Sequence, residues 1–339
     1  METLLYLAHT EADGSLSKTA LEALGAAASL ASDLGAGFSV GLIGEDVTQA
    51  ANAIGGCGAE KFFAVSGPDF GQSRYSTDTA AAVALIQAAS ATLVLAPATS
   101  RLARSLPGAA QRAGGRADTQ VTALAVDSGS VVATRWYYRQ RMFSNMTRSQ
   151  RPWVITLSPG CFPAWEGEAG SPSVEAVSAD AATNTTVKGV LAPSADEQTI
   201  RPDAEMLFVA GAGWTKKQAD GQTNVGGAEK LILGFLDQAK ASLGSSKSLV
   251  DLGGEGQEVL SFLSHLHQVG QTGSTPRHAK GLATCCHGEE PHVVGWRFIT
   301  ERRAVNLDEG CGWAQGKADV LYVADAFEVM TKVNELLGS

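Results

Sequence analysis

Cysteine is scarce in this chain: the five, at Cys57, Cys161, Cys285, Cys286 and Cys311, are odd in number and show no Cys-x-x-Cys spacing. That usage excludes a disulfide framework and fits a reducing compartment, a bacterial-type cytoplasm or a mitochondrial-matrix-like space. Cys285-Cys286-His287, with His292 and Cys311 downstream, is not read as a metal cluster, because adjacent cysteines do not make the usual zinc or iron–sulfur chelate. Long apolar runs are missing too; none reaches the roughly 18 residues of a membrane-spanning helix. Basic charge is in deficit, with 26 Lys and Arg against 35 Asp and Glu and a formal net charge of −9. Without a cationic stripe to neutralise phosphates, nucleic acid is not an expected partner. The opening Met1-Glu2-Thr3-Leu4-Leu5-Tyr6-Leu7-Ala8-His9 lacks a basic segment and a long apolar core, so it predicts a first strand rather than a signal peptide.

Several catalytic signatures are also missing. There is no His-Glu-x-x-His, no Walker sequence, no nucleophile–base pair and no paired-carboxylate constellation. After the first strand the chain reads Ala8-His9-Thr10-Glu11-Ala12-Asp13-Gly14 instead of Gly-x-Gly-x-x-Gly, which argues against a nicotinamide-dependent dehydrogenase.

What the chain does have is length and apolar content, 339 residues with 44% hydrophobic, enough to bury two cores. Residues 4–8, 38–43, 61–65 and 92–96 read as strands, and 18–34, 47–54 and 77–89 as the helices between them, a βα alternation around a parallel sheet. The runs 121–126, 131–138 and 153–157 follow too closely for helices and predict antiparallel strands added at one edge, where the sheet ends. Residues 167–201 are rich in Ala, Ser, Thr, Pro and Glu with weak periodicity, and part of them reads as linker. A second α/β domain is predicted from 205–210, with helices at 228–243 and 258–266, strands near 248–252, 281–285, 303–307 and 319–323, and a closing amphipathic helix over 326–337. The expected division is an N-terminal domain over 1–183, a linker over 184–202 and a second domain over 203–339.

The densest chemical signal is Val269-Gly270-Gln271-Thr272-Gly273, where two glycines let the backbone turn tightly against a planar ligand and a small hydroxyl sits beside it. Gly288-x-x-x-His292, Ala304-Val305-Asn306, Ala318-Asp319 and Val323-Ala324-Asp325 follow in order. That succession resembles the FAD-binding half of the alpha, or large, subunit of electron-transfer flavoproteins, of which this would be a divergent member. In the first half, Leu93-Val94-Leu95-Ala96-Pro97-Ala98-Thr99 followed by Arg104, then Arg135-Trp136-Tyr137-Tyr138, Arg148 and Val154-Ile155-Thr156-Leu157-Ser158-Pro159, are similar to that family's strand ends. As core strands with turn-forming Pro and Thr they are equally well described.

The resemblance implies two Rossmann-like three-layer α/β domains with mostly parallel sheets, the first packing on a smaller beta subunit and the second binding FAD. Gly211-Ala212-Gly213-Trp214-Thr215-Lys216 stands where the family has Gly-Arg-Gly-Leu-Lys, a turn whose N–H groups can face an anion; a plain strand-end loop reads as well. Ser246-Lys247-Ser248-Leu249-Val250-Asp251 stands where it has Ser-Arg-Ala-Ala-Val-Asp, so Lys247 replaces the arginine over the flavin, keeping the charge and losing the planar guanidinium. By the same resemblance Thr272 lies next to the flavin N5 with Gln271 beside it, and His292 meets the pyrimidine-edge oxygen. His287 before Gly288 replaces a serine near the diphosphate, Asn306 meets the ribose and phosphate, and Asp325 meets the adenosine end. Asp325 is also a candidate N-cap of the last helix, and both roles can hold.

The implied role is an electron carrier rather than a substrate-converting enzyme. It would take electrons from flavin-dependent dehydrogenases, one dedicated to demethylating methylated amines being an option, and pass them to a membrane quinone oxidoreductase, without inserting into the membrane. Ala212, Lys247, His287 and extra residues before Val269 leave an alternative, a scaffold or nucleotide-binding subunit that kept the fold and lost FAD.

Overall fold

The computed structural model describes residues 2–137, 142–180, 184–189, 200–201, 204–252, 258–269, 278–284, 299–309 and 318–338. The chain divides into two compact units, Met1–Gly189 and Val190–Ser339.

In the first unit, strand β1 (Leu4–His9) leads through helix α1 (Lys18–Leu34) to β2 (Phe38–Gly44), and α2 (Thr48–Ala53) leads to β3 (Lys61–Ser66). A short turn α3 (Pro68–Gly71), helix α4 (Tyr75–Ala88), β4 (Leu93–Pro97) and α5 (Ser100–Arg112) follow. Then come β5 (Arg116–Asp127), β6 (Ser130–Tyr137), β7 (Met142–Met146), β8 (Trp153–Leu157) and β9 (Val174–Ala176). They make one nine-stranded sheet in the order β7-β6-β5-β8-β4-β1-β2-β3-β9.

The layering follows from the period of two along each strand. Leu4, Tyr6 and Ala8 face a core with α1 and α2, while Leu5 and Leu7 face a core with α4 and α5. Helix boundaries are set by side chains: Ser17 Oγ accepts from Ala20 N–H at 3.3 Å to start α1, and Gly35, at φ +59°, ends it in the left-handed conformation that glycine adopts freely. Gly25 on α1 is required by close approach, since a Cβ there would stand 2.5 Å from the Pro163 carbonyl oxygen.

The antiparallel additions are β5 and β6, which pair as expected, and β7, a strand the sequence reading did not single out. Strand β8 corrects the sequence reading. It is not antiparallel at the edge but runs parallel between β4 and β5. All five of its residues are buried, as a strand covered on both faces requires. Its Trp153 indole donates to Asp118 at 2.9 Å, where Arg148 donates twice, at 2.8 and 2.9 Å. The Arg148 hydrogen bonds hold the Asp118 carboxyl below the usual carboxylate range against its partial burial. The sheet ends at the antiparallel edge with β7, and at the far edge β9, from the stretch of weak periodicity, pairs parallel with β3.

The second unit holds β10 (Met206–Ala210), a 3-10 turn (Ala212–Thr215), α6 (Val225–Ala239), β11 (Ser242–Ser245), α7 (Lys247–Asp251), a 3-10 turn (His265–His267), β12 (Lys280–Thr284), β13 (Glu301–Asn306), β14 (Val320–Val323) and α8 (Ala326–Leu337). Its sheet, β11-β10-β12-β13-β14, is parallel throughout. Phe208, Ile232, Phe235 and Met330 join its first face to α6 and α8, and Leu207, Val209, Ala283 and Ala304 line the other. The fold is α/β, with two Rossmann-like units and an antiparallel addition in the first.

Three sequence expectations fail here. The helix expected over 228–243 stops at Ala239, because Lys240 turns left-handed at φ +50°. The next strand is therefore Ser242–Ser245, and the expected strand near 248–252 is helix α7, capped by Ser246 Oγ accepting from Leu249 N–H at 3.3 Å. The helix expected over 258–266 is reduced, among the described residues, to the turn at His265–His267. Ahead of it the backbone is drawn to a neighbouring helix instead, with Ser261 N–H donating to Glu229 on α6 at 2.7 Å.

Candidate functional site

All five strands of the second unit point the same way, so their carboxyl ends form one edge, the place where open parallel sheets bind ligands. Five expected site residues lie along it. Gly213 follows β10, Ser246 and Lys247 follow β11, Asn306 ends β13, and Asp325 follows β14. Gly270, Gln271, Thr272, Gly273, His287, Gly288 and His292 lie outside the described residues. Val269 N–H donates to Ser245 C=O at 3.1 Å, which holds Val269 against the end of β11.

Asn306 is the most telling of the five. It is 2% exposed, its Nδ2 donates to the Asp308 carbonyl at 2.9 Å, and its Oδ1 meets no donor among the described residues. A buried amide oxygen without a donor costs on the order of 1–3 kcal/mol, so the position asks for a ligand that donates. Ser245 Oγ, fully buried at the end of β11, is in the same condition. Sequence reasoning missed Ser245, because its strand was expected further along. It also missed Thr284, whose buried hydroxyl accepts from the Trp214 indole at 2.8 Å and donates to Val209 C=O at 3.2 Å, pinning the turn after β10 to β12. A threonine closing an apolar strand was the available signal.

The other residues are more engaged. Asp325 Oδ1 accepts from Phe327 and Glu328 N–H at 2.8 and 3.1 Å, so its capping role is in place. Lys247 Nζ stands 2.9 Å from Asp251 on its own helix, an exposed pair worth about 0.5 kcal/mol and easily exchanged for another anion. Of the turn around Gly213, the Gly211 and Trp214 N–H groups are used internally, on Thr284 C=O and Gly211 C=O.

A cavity of about 730 Å³ runs along one face of this sheet, lined by Met206, Lys280 and Glu301, the first residues of their strands, and by Phe235, Val305 and Ala324, the last two next to Asn306 and Asp325. Among the described residues no group of histidines, cysteines and carboxylates is placed to hold a metal, and no helix is long and apolar enough to cross a membrane.

Residues 4–182 match the model of the electron transfer flavoprotein domain, more than half of the chain. The chain belongs to the electron transfer flavoprotein family. Its α/β architecture agrees with the alpha-subunit resemblance seen in the sequence. The match covers the first unit and stops short of the edge that carries Gly213, Ser246, Lys247, Asn306 and Asp325. No curated protein matches the chain.

The donor set suits the flavin of a flavoprotein family. An amide oxygen with no donor among the described residues, a buried hydroxyl, a half-exposed cation and a parallel-sheet edge could meet a flavin's hydroxyls and phosphate.

Proposed function

We propose that the chain is the FAD-binding large subunit of a heterodimeric electron-transfer flavoprotein. It accepts electrons from flavin-dependent dehydrogenases and passes them to a membrane quinone oxidoreductase, changing no organic substrate itself. The observation that carries this reading is the unsatisfied, buried Asn306 Oδ1 at the carboxyl edge of the second sheet, in a chain whose first unit matches the family. FAD, when bound, supplies the reversible redox chemistry of its ring system. In this reading Asn306 would accept from a ribose hydroxyl, and Lys247 would exchange Asp251 for the cofactor's negative charge. By the resemblance Thr272 would supply a hydrogen bond at N5, His292 a donor at the pyrimidine edge, and His287 and Gly288 contacts to the diphosphate. Ser246, Gly270, Gln271, Gly273, Gly213 and Asp325 would complete the cofactor's surroundings.

The test is an absorbance spectrum of the chain purified with its small partner, followed by stepwise reduction. About one FAD per heterodimer is expected, lost or shifted on changing Thr272 or His292. A colourless, folded heterodimer that FAD cannot reconstitute would sink this reading in favour of the scaffold.

A further inference from the structure

Helix α7 carries Lys247 and Asp251 four residues apart, the spacing that puts two side chains on one face, and Lys247 Nζ lies 2.9 Å from Asp251 Oδ2. The other carboxylate oxygen faces the 3-10 turn His265–His267, where His265 Nδ1 stands 3.8 Å from Asp251 Oδ1. That is too far for a hydrogen bond and close enough for charge to act. The near partner of the same nitrogen is Gln268 Nε2, at 2.8 Å. An amide NH2 only donates, so Nδ1 accepts and the neutral ring keeps its proton on Nε2. Gln268 is 3% exposed and bridges to Ser245, which holds the turn against the carboxyl edge of the sheet.

The His265 ring therefore has two partners and a choice between them. A proton on Nδ1 makes both ring nitrogens donors, so the Gln268 amide nitrogen no longer fits and the charged ring turns to Asp251 Oδ1. Asp251 then serves two cations, and its hold on Lys247 weakens. Among the described residues two elements pack against the turn: β11, which has no titratable side chain, and α7, which brings Lys247 and Asp251. His267 turns away, its Nδ1 accepting from Ser264 N–H at 3.1 Å. Histidine is the side chain whose ordinary charge change falls between about pH 5 and 8.

We infer that Asp251 and His265 are positioning residues for Lys247: a proton on His265 frees the Lys247 ammonium for the cofactor, so the flavin becomes easier to reduce as the pH falls. The assignment rests on the FAD reading. Its sign follows from charge, because the freed ammonium and the added imidazolium both favour the more negative, reduced flavin.

The test uses the full heterodimer with FAD bound, at low ionic strength so that exposed charges are not screened. The reduced-to-oxidised ratio against a reference dye is followed from about pH 8.5 to about pH 5.5 in wild type and His265→Gln, whose difference cancels the flavin's own protons. The two should coincide at high pH and part at low pH, wild type becoming easier to reduce on the order of threefold. The parting should track the titration of His265 followed by NMR in the same protein. Asp251→Asn should be easier to reduce than wild type at the high end of the range and insensitive to His265→Gln. Coincidence of wild type and His265→Gln at every pH, a parting that does not track His265, or an Asp251→Asn heterodimer no easier to reduce overturns the assignment. A second measurement needs no flavin. In Lys247→Met, which leaves Asp251 to His265 alone, protons should bind His265 about threefold more tightly than in wild type, and unchanged binding overturns the assignment as well. A folded heterodimer that takes up no FAD ends the FAD reading and this inference together, whereas FAD bound without the pH-dependent difference ends this inference alone.

Discussion

The two parallel sheets of this protein treat their carboxyl ends differently. In the first unit the strand order reverses beside β1 and β4, the crevice where such sheets take ligands. It is filled by the chain itself. His9 Nδ1 donates to Thr10 C=O, and its Nε2 accepts from Thr99 Oγ1, each at 3.1 Å, while Thr99 Oγ1 accepts from Leu102 N–H at 3.2 Å. Behind it Arg101 clasps Asp78 at 2.7 and 3.1 Å and donates to the Phe70 carbonyl, and Asp78 accepts from Arg74 N–H. These groups satisfy one another, while the Arg74 Nε beside them is buried without an acceptor among the described residues. In the second unit the same kind of edge leaves Asn306 Oδ1 and Ser245 Oγ buried with no partner among the described residues. The first crevice is closed by its own ion pair and hydrogen bonds, whereas the second edge keeps two buried oxygens that the proposed ligand would satisfy.

The strongest way to break this comparison is to open the closed crevice. Asp78 and Arg101 are both nearly inaccessible, so removing one strands the other's charge in the interior. Asp78→Ala is expected to destabilise the first unit by about 3–5 kcal/mol, read as a lower denaturant midpoint at unchanged slope. A loss of less than about 1 kcal/mol would mean the crevice is solvated like a surface pair.

How much of this was legible beforehand depends on the range of the cause. Strands such as Leu4–His9 show as unbroken apolar runs because both faces are covered, and the last helix was readable to its ends because Asp325 caps it and its apolar face repeats at helical spacing. Ser-Leu-Gly-Ser at 242–245 was not readable, being short, small and without β-branched residues, while the β-branched Val250 lent 248–252 a strand's look in spite of the capping Ser246. The place of Trp153–Leu157 between β4 and β5 was hidden as well, since strand order is set by partners distant in sequence. At the candidate site, Asn306 could be singled out by resemblance, but its unmet oxygen could not. That depends on burial by neighbours rather than on any local pattern.

The comparison is sharpened at Asn306. Asn306→Ala removes the unmatched oxygen together with a single bond to Asp308, so the second unit should lose little stability, less than about 1 kcal/mol. FAD retention should fall by about tenfold or more, a loss on the order of 1–3 kcal/mol, measured by equilibrium dialysis of the heterodimer. Equal losses in stability and cofactor retention would make Asn306 a structural residue only and remove the contrast between the two edges.

The smallest effect concerns protons. Burial lowers the His9 pKa below its ordinary value, with the nearby Arg101 charge adding to the shift against the Thr10 carbonyl. The folded unit therefore holds His9 neutral, Nδ1–H toward Thr10, at pH values where the unfolded chain has already taken up a proton. Between the lowered folded value and the unfolded value near 6.5, the unfolded state binds more protons, so stability rises with pH in that window. His9 thus imposes no penalty above about pH 6.5 and costs stability progressively as the pH falls toward its folded pKa. His267, also buried and shifted down by burial, acts in the same sense in the second unit. His9→Gln, which cannot take up a proton, should flatten the first unit's share of that slope, followed by urea titrations from pH 7.5 to pH 5. An unchanged slope would mean that the His9 ring protonates freely in the folded state and that the first crevice is open to water.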